Sequence, residues 1–138
     1  MALAVSAECL TAGGAEVSTA LAGVEYFHGS TADGLTVQGS DRAERISAVA
    51  RYVLVYGGPG ADRVFAFGGR ITQVIAGRGD DRIKGVGRRG VILNGGRGAD
   101  VLRGDSGPDQ LHGDLGQDVA WGQRGKDECD AEVRHFCE

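Results

Sequence analysis

Apolar side chains recur along this chain at a spacing of 18 or 19 residues, and two separate series share that spacing. Most members are small or β-branched, which suits side chains that point inward from short stacked strands. The pattern therefore predicts a stack of short strands in which each repeat contributes one residue to each series. The first series is Ile46, Val64, Ile83, Leu102 and Ala120; the second is Val37, Val55, Val74, Leu93, Leu111 and Cys129.

Six nine-residue segments carry a shared polar signature, with Gly at the fourth position and Asp at the sixth. GGPGADRVF begins at Gly57, AGRGDDRIK at Ala76 and GGRGADVLR at Gly95, and three more segments follow without a gap up to Asp130. One such segment would be weak evidence, because Gly and Asp are common in turns for reasons unrelated to metal. Six in register are far more specific. The aspartates are Asp62, Asp81, Asp100, Asp109, Asp118 and Asp127.

These segments resemble the RTX nonapeptide GGxGxDxUx, a calcium-binding repeat in which U is a large apolar residue. The resemblance covers Gly57 to Asp130, and GSDRAERIS at Gly39 is a degraded copy with Glu44 at its sixth position. It implies an all-β, right-handed parallel β-roll with N-terminal and C-terminal caps, in which two nonapeptides make one coil. The chain end, a Cys in the last repeat and then a terminal Cys-Glu, is similar to that of small secreted bacterial proteins of this type.

Alternate turns of such a roll lie on opposite edges. Going up edge two one coil at a time from Asp109 reaches Val91, Thr72 and Val53, which carry no carboxylate. We therefore expect metal binding on edge one alone in the upper coils and on both edges in the last coils. Edge one is defined by the turns that end at Asp62, Asp81, Asp100 and Asp118, and edge two by the turns that end at Asp109 and Asp127.

Calcium is a hard cation that takes about six to eight oxygen ligands. Turn glycines let several carbonyl oxygens point the same way, and the aspartate adds charge. The resemblance implies that each ion lies between two neighbouring turns of one edge and is shared by their aspartates. About four structural Ca²⁺ ions are then expected: three on edge one and one on edge two, with a weaker fifth site between Glu44 and Asp62. The glycines of these turns are Gly57, Gly58, Gly60, Gly77, Gly79, Gly95, Gly96, Gly98, Gly104, Gly107, Gly113, Gly116, Gly122 and Gly125.

Some turns depart from the repeat. Position one is Ala76 in one segment, and position two is Asp105, Asp114 or Gln123 in the last three. A side chain at these positions does not prevent the carbonyl from binding a metal where φ permits it. We expect these departures to weaken the geometry without removing the sites.

Composition supports a turn-rich chain that does not bind nucleic acid. Glycine accounts for 25 of 138 residues with only two prolines, against about 7% Gly in an average protein, which indicates tight turns rather than a collagen-like or proline-rich chain. A net charge of −4 argues against a nucleic-acid binder, which usually has a clustered basic surface. The basic residues, mostly Arg, are interpreted as solvated surface. No apolar run approaches the length of a membrane span.

The chain divides into four expected parts. Residues 1–7 are either the remnant of a signal peptide or a disordered N-terminus, residues 8–37 an N-terminal cap with degenerate coils, residues 38–130 the roll, and residues 131–138 a C-terminal cap. Between Ala15 and Phe27 either further strands or an amphipathic helix fits the pattern. At the other end, Phe136 and Cys137 are expected to fold onto the last coil.

Three cysteines leave one without a partner if a disulfide forms. Cys129 and Cys137 are predicted to be joined; the alternative is a core thiol at Cys129 and an idle thiol at Cys137. A disulfide would place the protein outside the cytosol, so we expect a secreted, extracellular protein. Cys9 would then be unpaired.

Three other functions compete with structural calcium binding. An enzyme is not expected, since no catalytic spacing surrounds His28, His112 or His135. A calcium-dependent adhesion module that binds a glycan or protein is an alternative, as is a calcium-gated secretion or folding tail of a larger exported protein. We expect a monomer. The aromatic side chains available to an adhesion module are Tyr52, Tyr56, Phe65, Phe67 and Trp121, with Trp121 expected to be exposed.

The predicted sharing of aspartates distinguishes inner from outer positions of the stack. Asp81 and Asp100 each belong to two predicted sites, whereas Asp127 belongs to one. Asp81→Ala or Asp100→Ala should therefore remove more bound calcium than Asp127→Ala in a calorimetric titration. Equal losses in the three variants would contradict the pairing.

Overall fold

The computed structural model describes residues 4–6, 16–20, 26–30 and 33–137. Within them the chain forms 13 strands and no helix, so nothing in this part could cross a membrane as a helix. The all-β expectation is confirmed. The strands are β1 (Ala4–Ser6), β2 (Glu16–Ala20), β3 (Tyr26–Ser30), β4 (Gly34–Gln38), β5 (Arg45–Pro59), β6 (Arg63–Arg78), β7 (Arg82–Val86), β8 (Ile92–Arg97), β9 (Val101–Arg103), β10 (Gln110–Leu115), β11 (Val119–Trp121), β12 (Glu128–Asp130) and β13 (Val133–His135).

All strand pairs in the described residues are parallel, and they form two stacks that wind into a β-solenoid of about six coils. The first stack follows the order β1, β3, β5, β6, β7, β9, β11, β13. The second contains β2, β4, the later halves of β5 and β6, then β8, β10 and β12. β5 and β6 belong to both stacks because each continues around edge two, with a register shift between Ala50 and Tyr52.

The register confirms the coil length expected from the apolar series. In the first stack Arg45 pairs with Arg63, Arg63 with Arg82, and Arg82 with Val101. These are steps of 18, 19 and 19 residues. The coil that begins with the segment AGRGDDRIK is therefore a full coil like its neighbours, despite its Ala at position one.

Both inward series are buried. The first series is at most 3% exposed. In the second series every side chain is fully buried except that of Cys129, which is 8% exposed. Where edge two has no aspartate, Val53, Thr72 and Val91 are buried in its place, and the Thr72 hydroxyl donates to the Val86 carbonyl at 3.3 Å. The upper part of edge two is thus closed by core residues instead of metal turns.

The stack extends beyond the recognisable repeats at both ends. Strands β2 and β3 pair with β4 and β5, so strands and not a helix occupy Glu16–Ala20 and Tyr26–Ser30; residues 21–25 lie outside the described part, as does Cys9. At the other end β13 pairs with β11. Cys137 packs against the core as expected, whereas Phe136 is 66% exposed and reaches the last coils only through its ring, 6.3 Å from that of Trp121.

The turns need glycine mainly at positions two and four. Gly58, Gly77 and Gly96 at position two and Gly60 and Gly98 at position four have φ between 97° and 138°, a region that L-residues avoid. The coils also approach closely there, since a Cβ on Gly98 would overlap the Gly79 carbonyl oxygen. Position-one glycines lack the positive φ.

This geometry separates two glycines that look alike in sequence. Gly98 has a φ of 138° and no room for a Cβ, whereas a Cβ on Gly69 would meet no atom closer than Arg51 Cα at 3.6 Å. With calcium saturating, Gly98→Ala should lower the free energy of unfolding by about 1–3 kcal/mol, while Gly69→Ala should be close to neutral. Urea unfolding checks this, and equal midpoints for both variants would contradict it.

Candidate metal centre

The acidic residues of edge one form a continuous ladder of hydrogen bonds. The backbone N–H of Asp62 donates to Asp81 Oδ1 at 2.7 Å, that of Asp81 to Asp100 Oδ1 at 2.8 Å, and that of Asp100 to Asp118 Oδ1 at 2.9 Å. Glu44 begins the ladder by donating its N–H to Asp62 Oδ1 at 2.9 Å. The structure therefore stacks the four predicted edge-one aspartates directly, with Glu44 above them.

Edge two has a shorter ladder. The Asp109 N–H donates to Asp127 Oδ1 at 2.9 Å, and Val91, one coil above, donates its N–H to Asp109 Oδ1 at 2.9 Å. The predicted partners Asp109 and Asp127 are thus stacked. The apolar residue above them retains the backbone donor of the ladder but supplies no carboxylate.

One oxygen of nearly every carboxylate is buried without a hydrogen-bond partner. The side chains of the six aspartates and Glu44 are at most 6% exposed. The Oδ1 atoms of the aspartates accept the ladder bonds, Glu44 Oε1 accepts from Ser40, and the second oxygen is unpartnered in all of them but Asp109. A buried, unpaired carboxylate oxygen is costly, so this arrangement needs a cation. These atoms are Glu44 Oε2 and the Oδ2 atoms of Asp62, Asp81, Asp100, Asp118 and Asp127.

The unpartnered oxygens point into their own turns. A Cβ on the position-one residues Gly95, Gly113 or Gly122 would overlap the Oδ2 of the aspartate five residues later. Backbone carbonyls approach the same region: a Cβ on Gly57 would lie 2.6 Å from the Ala76 carbonyl oxygen and 2.7 Å from Asp62 Oδ2. Each turn therefore brings a free carboxylate oxygen next to main-chain oxygens, which are the ligands that Ca²⁺ prefers.

Side chains alone would not complete a coordination shell. Among the described residues no group of three or more His, Cys, Asp or Glu side chains converges on one point. Most ligands would have to be carbonyl oxygens of the Gly-rich turns, with one or two carboxylates. This donor set fits calcium and does not fit zinc, which takes Cys and His ligands.

Burial raises the pKa of these aspartates in the metal-free roll. It raises the pKa of Asp81 to about 7, helped by the negative charges of Asp100 and Asp62 and opposed by the ladder hydrogen bond. For Asp62 and Asp100, burial raises the pKa to about 6. Burial is also the largest cause of the raised pKa of Asp109 and Asp118. The ionised ladder is therefore unfavourable until a cation neutralises it.

Two of the three departures at position two keep the turn conformation. Asp114 and Gln123 adopt φ of 71° and 83°, so their carbonyls are oriented as in the glycine turns. Asp105 does not adopt a positive φ. Its N–H instead donates to Asp109 Oδ2 at 3.1 Å, which uses the oxygen that stays free elsewhere, so the edge-two pair retains only the free oxygen of Asp127.

The turn at Glu44 has a similar internal bond. The Ser40 N–H donates to Glu44 Oε1 at 2.8 Å, and the Ser40 hydroxyl donates to the same oxygen. Glu44 Oε2 is still unpartnered. Glu44 therefore contributes one free oxygen, although part of its carboxylate is used within its own turn.

Glu132 is a member of the edge-one ladder that the repeat pattern missed. The Asp118 N–H donates to Glu132 Oε2 at 2.8 Å, across a separation of 14 residues. The last coil is shorter than 18 residues, so counting by repeats passes over it. The short loop before β13 and the neighbouring disulfide between Cys129 and Cys137 are the signals that mark the shortening.

Comparison with known proteins identifies the repeat. A family model described as the RTX calcium-binding nonapeptide repeat, in four copies, matches residues 38–70 and 92–130, which is just over half of the chain. The coil that begins at Ala76 lies between the two matched segments and is placed by its strand register. No curated protein and no solved structure matches the chain.

The raised pKa values predict an unusual pH dependence without metal. An aspartate whose pKa is higher in the folded than in the unfolded chain stabilises the fold below its unfolded pKa of 3.8, and this contribution is lost as the pH rises through its folded value, about 6–7 here. The calcium-free roll should therefore become less stable between about pH 4 and about pH 7.

Circular dichroism of the calcium-depleted chain across this range checks the dependence. Asp81→Asn removes the carboxyl group whose pKa is raised to about 7, so this variant should show a weaker dependence of stability on pH. A calcium-free roll that gains stability with rising pH would show that the ladder carboxylates are not protonated as expected.

Proposed function

Because the chain belongs to the RTX calcium-binding nonapeptide repeat family and is a calcium-binding β-roll, we propose that it binds about four structural ions between successive turns. Three would be held on edge one by the pairs Asp62 and Asp81, Asp81 and Asp100, and Asp100 and Asp118. Asp109 and Asp127 would hold one on edge two. Glu44 with Asp62 forms a weaker fifth candidate site, consistent with the internal bonds of Glu44 to Ser40.

The observation that carries this proposal is the row of buried carboxylate oxygens without hydrogen-bond partners. A turn stabilised only by capping would use both carboxylate oxygens in hydrogen bonds, as Asp109 does. The other predicted ligand aspartates keep one oxygen free inside a Gly-rich turn. The carbonyls of those turns would supply the remaining ligands, and bound calcium would supply the positive charge that the stack lacks.

We further propose that calcium binding and folding are coupled. The inward series contain modest residues, including Ala120, and many of the turn positions are glycine, which loses more conformational freedom on folding than any other residue. The ionised ladder adds repulsion between carboxylates one coil apart. Each ion present at about 100 times its dissociation constant would stabilise the folded roll by about 2.7 kcal/mol, which is large compared with the net stability of a small domain.

An extracellular location fits the same picture. Cys129 and Cys137 form a disulfide with a Cα–Cα distance of 5.9 Å, and disulfides persist mainly in oxidising compartments. RTX repeats are typical of exported bacterial proteins. We therefore propose that the protein is secreted, and that it folds when it meets extracellular calcium. The repeats are structural rather than catalytic, so the role proposed for calcium is to hold the roll together.

Coupled folding predicts a calcium-dependent spectrum. In excess chelator at neutral pH, the full chain should lose the β signal in circular dichroism, and added calcium should restore it. Magnesium at the same concentration is the control and should not restore it, because Mg²⁺ requires near-ideal octahedral geometry and gives up its water reluctantly. A cooperative β spectrum that is unchanged in chelator would contradict the coupling.

A further inference from the structure

The outer surface of the first stack is strongly cationic. We define the cationic face as the outward side chains of β7, β9, β11, β13 and residues 45–49 and 63–67 of β5 and β6. The strand register arranges them in two main columns that run along the stacking direction. No Asp or Glu occupies an outward position in these described strands. The columns are Arg45, Arg63, Arg82, Val101, Val119 and Val133, and Ser47, Phe65, Lys84, Arg103, Trp121 and His135.

The cations of this face are not neutralised by carboxylates. In the described part of the chain the single salt bridge is between Arg51 and Asp33, at 3.8 Å, and it lies outside the face. Arg63, Arg82 and Arg103 are exposed. A chain of net charge −4 therefore carries a positive surface, because its buried acids are concentrated in the turns.

Aromatic rings lie beside two cations of the face. Lys84 Nζ lies 6.0 Å from the centre of the Phe65 ring, and Arg103 Cζ lies 5.5 Å from the Trp121 ring. Trp121 is also stacked on His135 with ring centres 3.9 Å apart, so it is half-buried and not exposed as the sequence suggested. Such contacts orient a cation without cancelling its charge.

The space between the columns is a shallow groove of about 480 Å³. It is open to solvent along the face and runs across three successive coils. Adjacent coils repeat about every 4.8 Å, so the groove presents positive groups at regular intervals over an apolar floor. Its walls and floor include Arg63, Phe65, Arg82, Lys84, Val101 and Arg103.

We propose that the cationic face binds an anionic polysaccharide. A linear sugar chain has the matching properties: carboxylate or sulfate groups at regular intervals and apolar ring faces between them. Arg guanidinium groups bind such planar or tetrahedral anions through two parallel hydrogen bonds. The apolar floor, made by Val101 and the Phe65 ring, offers a surface for the sugar rings.

Other polyanions fit the face less well. Bases of single-stranded nucleic acid bind by stacking on successive free aromatic rings, but the exposed rings of the face, Phe65 and Phe67, belong to a single coil, and Trp121 is already covered by His135 and Arg103. An acidic peptide that adds a strand needs an unpaired sheet edge, and the central strands β6, β7 and β9 of this face are paired on both sides. The outward columns of the opposite stack contain mainly neutral side chains, such as Tyr52, Gln73 and Asn94, with Asp130 at the end.

The first test uses the wild-type full chain saturated with calcium. Dextran sulfate is the probe, and neutral dextran is the control because it has the same sugar backbone without the charge. We expect binding to dextran sulfate that weakens as salt is added, and no binding to dextran. Failure to bind dextran sulfate, or equal binding to both polymers, would overturn the proposal while leaving the calcium-dependent spectrum unaffected.

Two triple variants locate the binding surface at equal charge loss. Arg63→Gln/Arg82→Gln/Arg103→Gln removes cations from the face, whereas Arg78→Gln/Arg97→Gln/Arg124→Gln removes exposed cations from the turns. The face variant should bind dextran sulfate about tenfold more weakly or worse, and the turn variant should change little. Circular dichroism in calcium verifies that both fold, and the single variant Arg82→Gln replaces the first triple if it does not. Equal weakening by both triples would overturn the assignment to this face.

Competition distinguishes the class of ligand. Single-stranded DNA and poly-glutamate of similar charge should compete less effectively than dextran sulfate in the wild-type chain. Stronger competition by either one would replace the polysaccharide with a nucleic acid or an acidic protein as the partner.

Discussion

The structure depends on a buried row of carboxylates that the protein alone does not neutralise. Every edge-one aspartate is essentially inaccessible to solvent, and each uses one oxygen to accept the backbone N–H of the coil above. Removing that oxygen would remove one of the hydrogen bonds between coils, and keeping it leaves a second oxygen without a partner. The fold thus ties a turn-to-turn hydrogen bond to an unpaired negative charge, and a cation resolves the conflict.

This constraint also explains how charge is distributed over the molecule. The acids that matter for stacking are drawn into the turns and buried, so the outward strand positions of the first stack are free to carry cations. Arg63 directly follows Asp62, and Arg82 directly follows Asp81. The repeat therefore places a buried acid and an exposed base next to each other in sequence but in different surroundings, and a net charge taken over the whole chain conceals the positive face.

Much of the architecture could be predicted from the sequence because one spacing governs it. The 18- and 19-residue steps of the apolar series are the steps of the strand register, and the aspartates lie on the two edges that the step implies. Glu132 could not be found in this way, since the final coil shortens and the acid comes only 14 residues after Asp118. Nothing in the sequence shows that Asp105 lacks the positive φ of Asp114 and Gln123 and donates instead to Asp109, and the cation columns appear only when strands distant in sequence are aligned.

The direction of the ladder gives the stack a polarity. Each edge-one acid receives its hydrogen bond from the coil before it, so every turn is completed by residues that come later in the chain. A chain emerging N-terminus first cannot close any of these turns until the following coil is present, and the series ends at Glu132, beside the disulfide between Cys129 and Cys137. Each edge-one turn thus depends on an acceptor from a later part of the chain, and loss of the few residues around Glu132 would leave the Asp118 N–H without its acceptor.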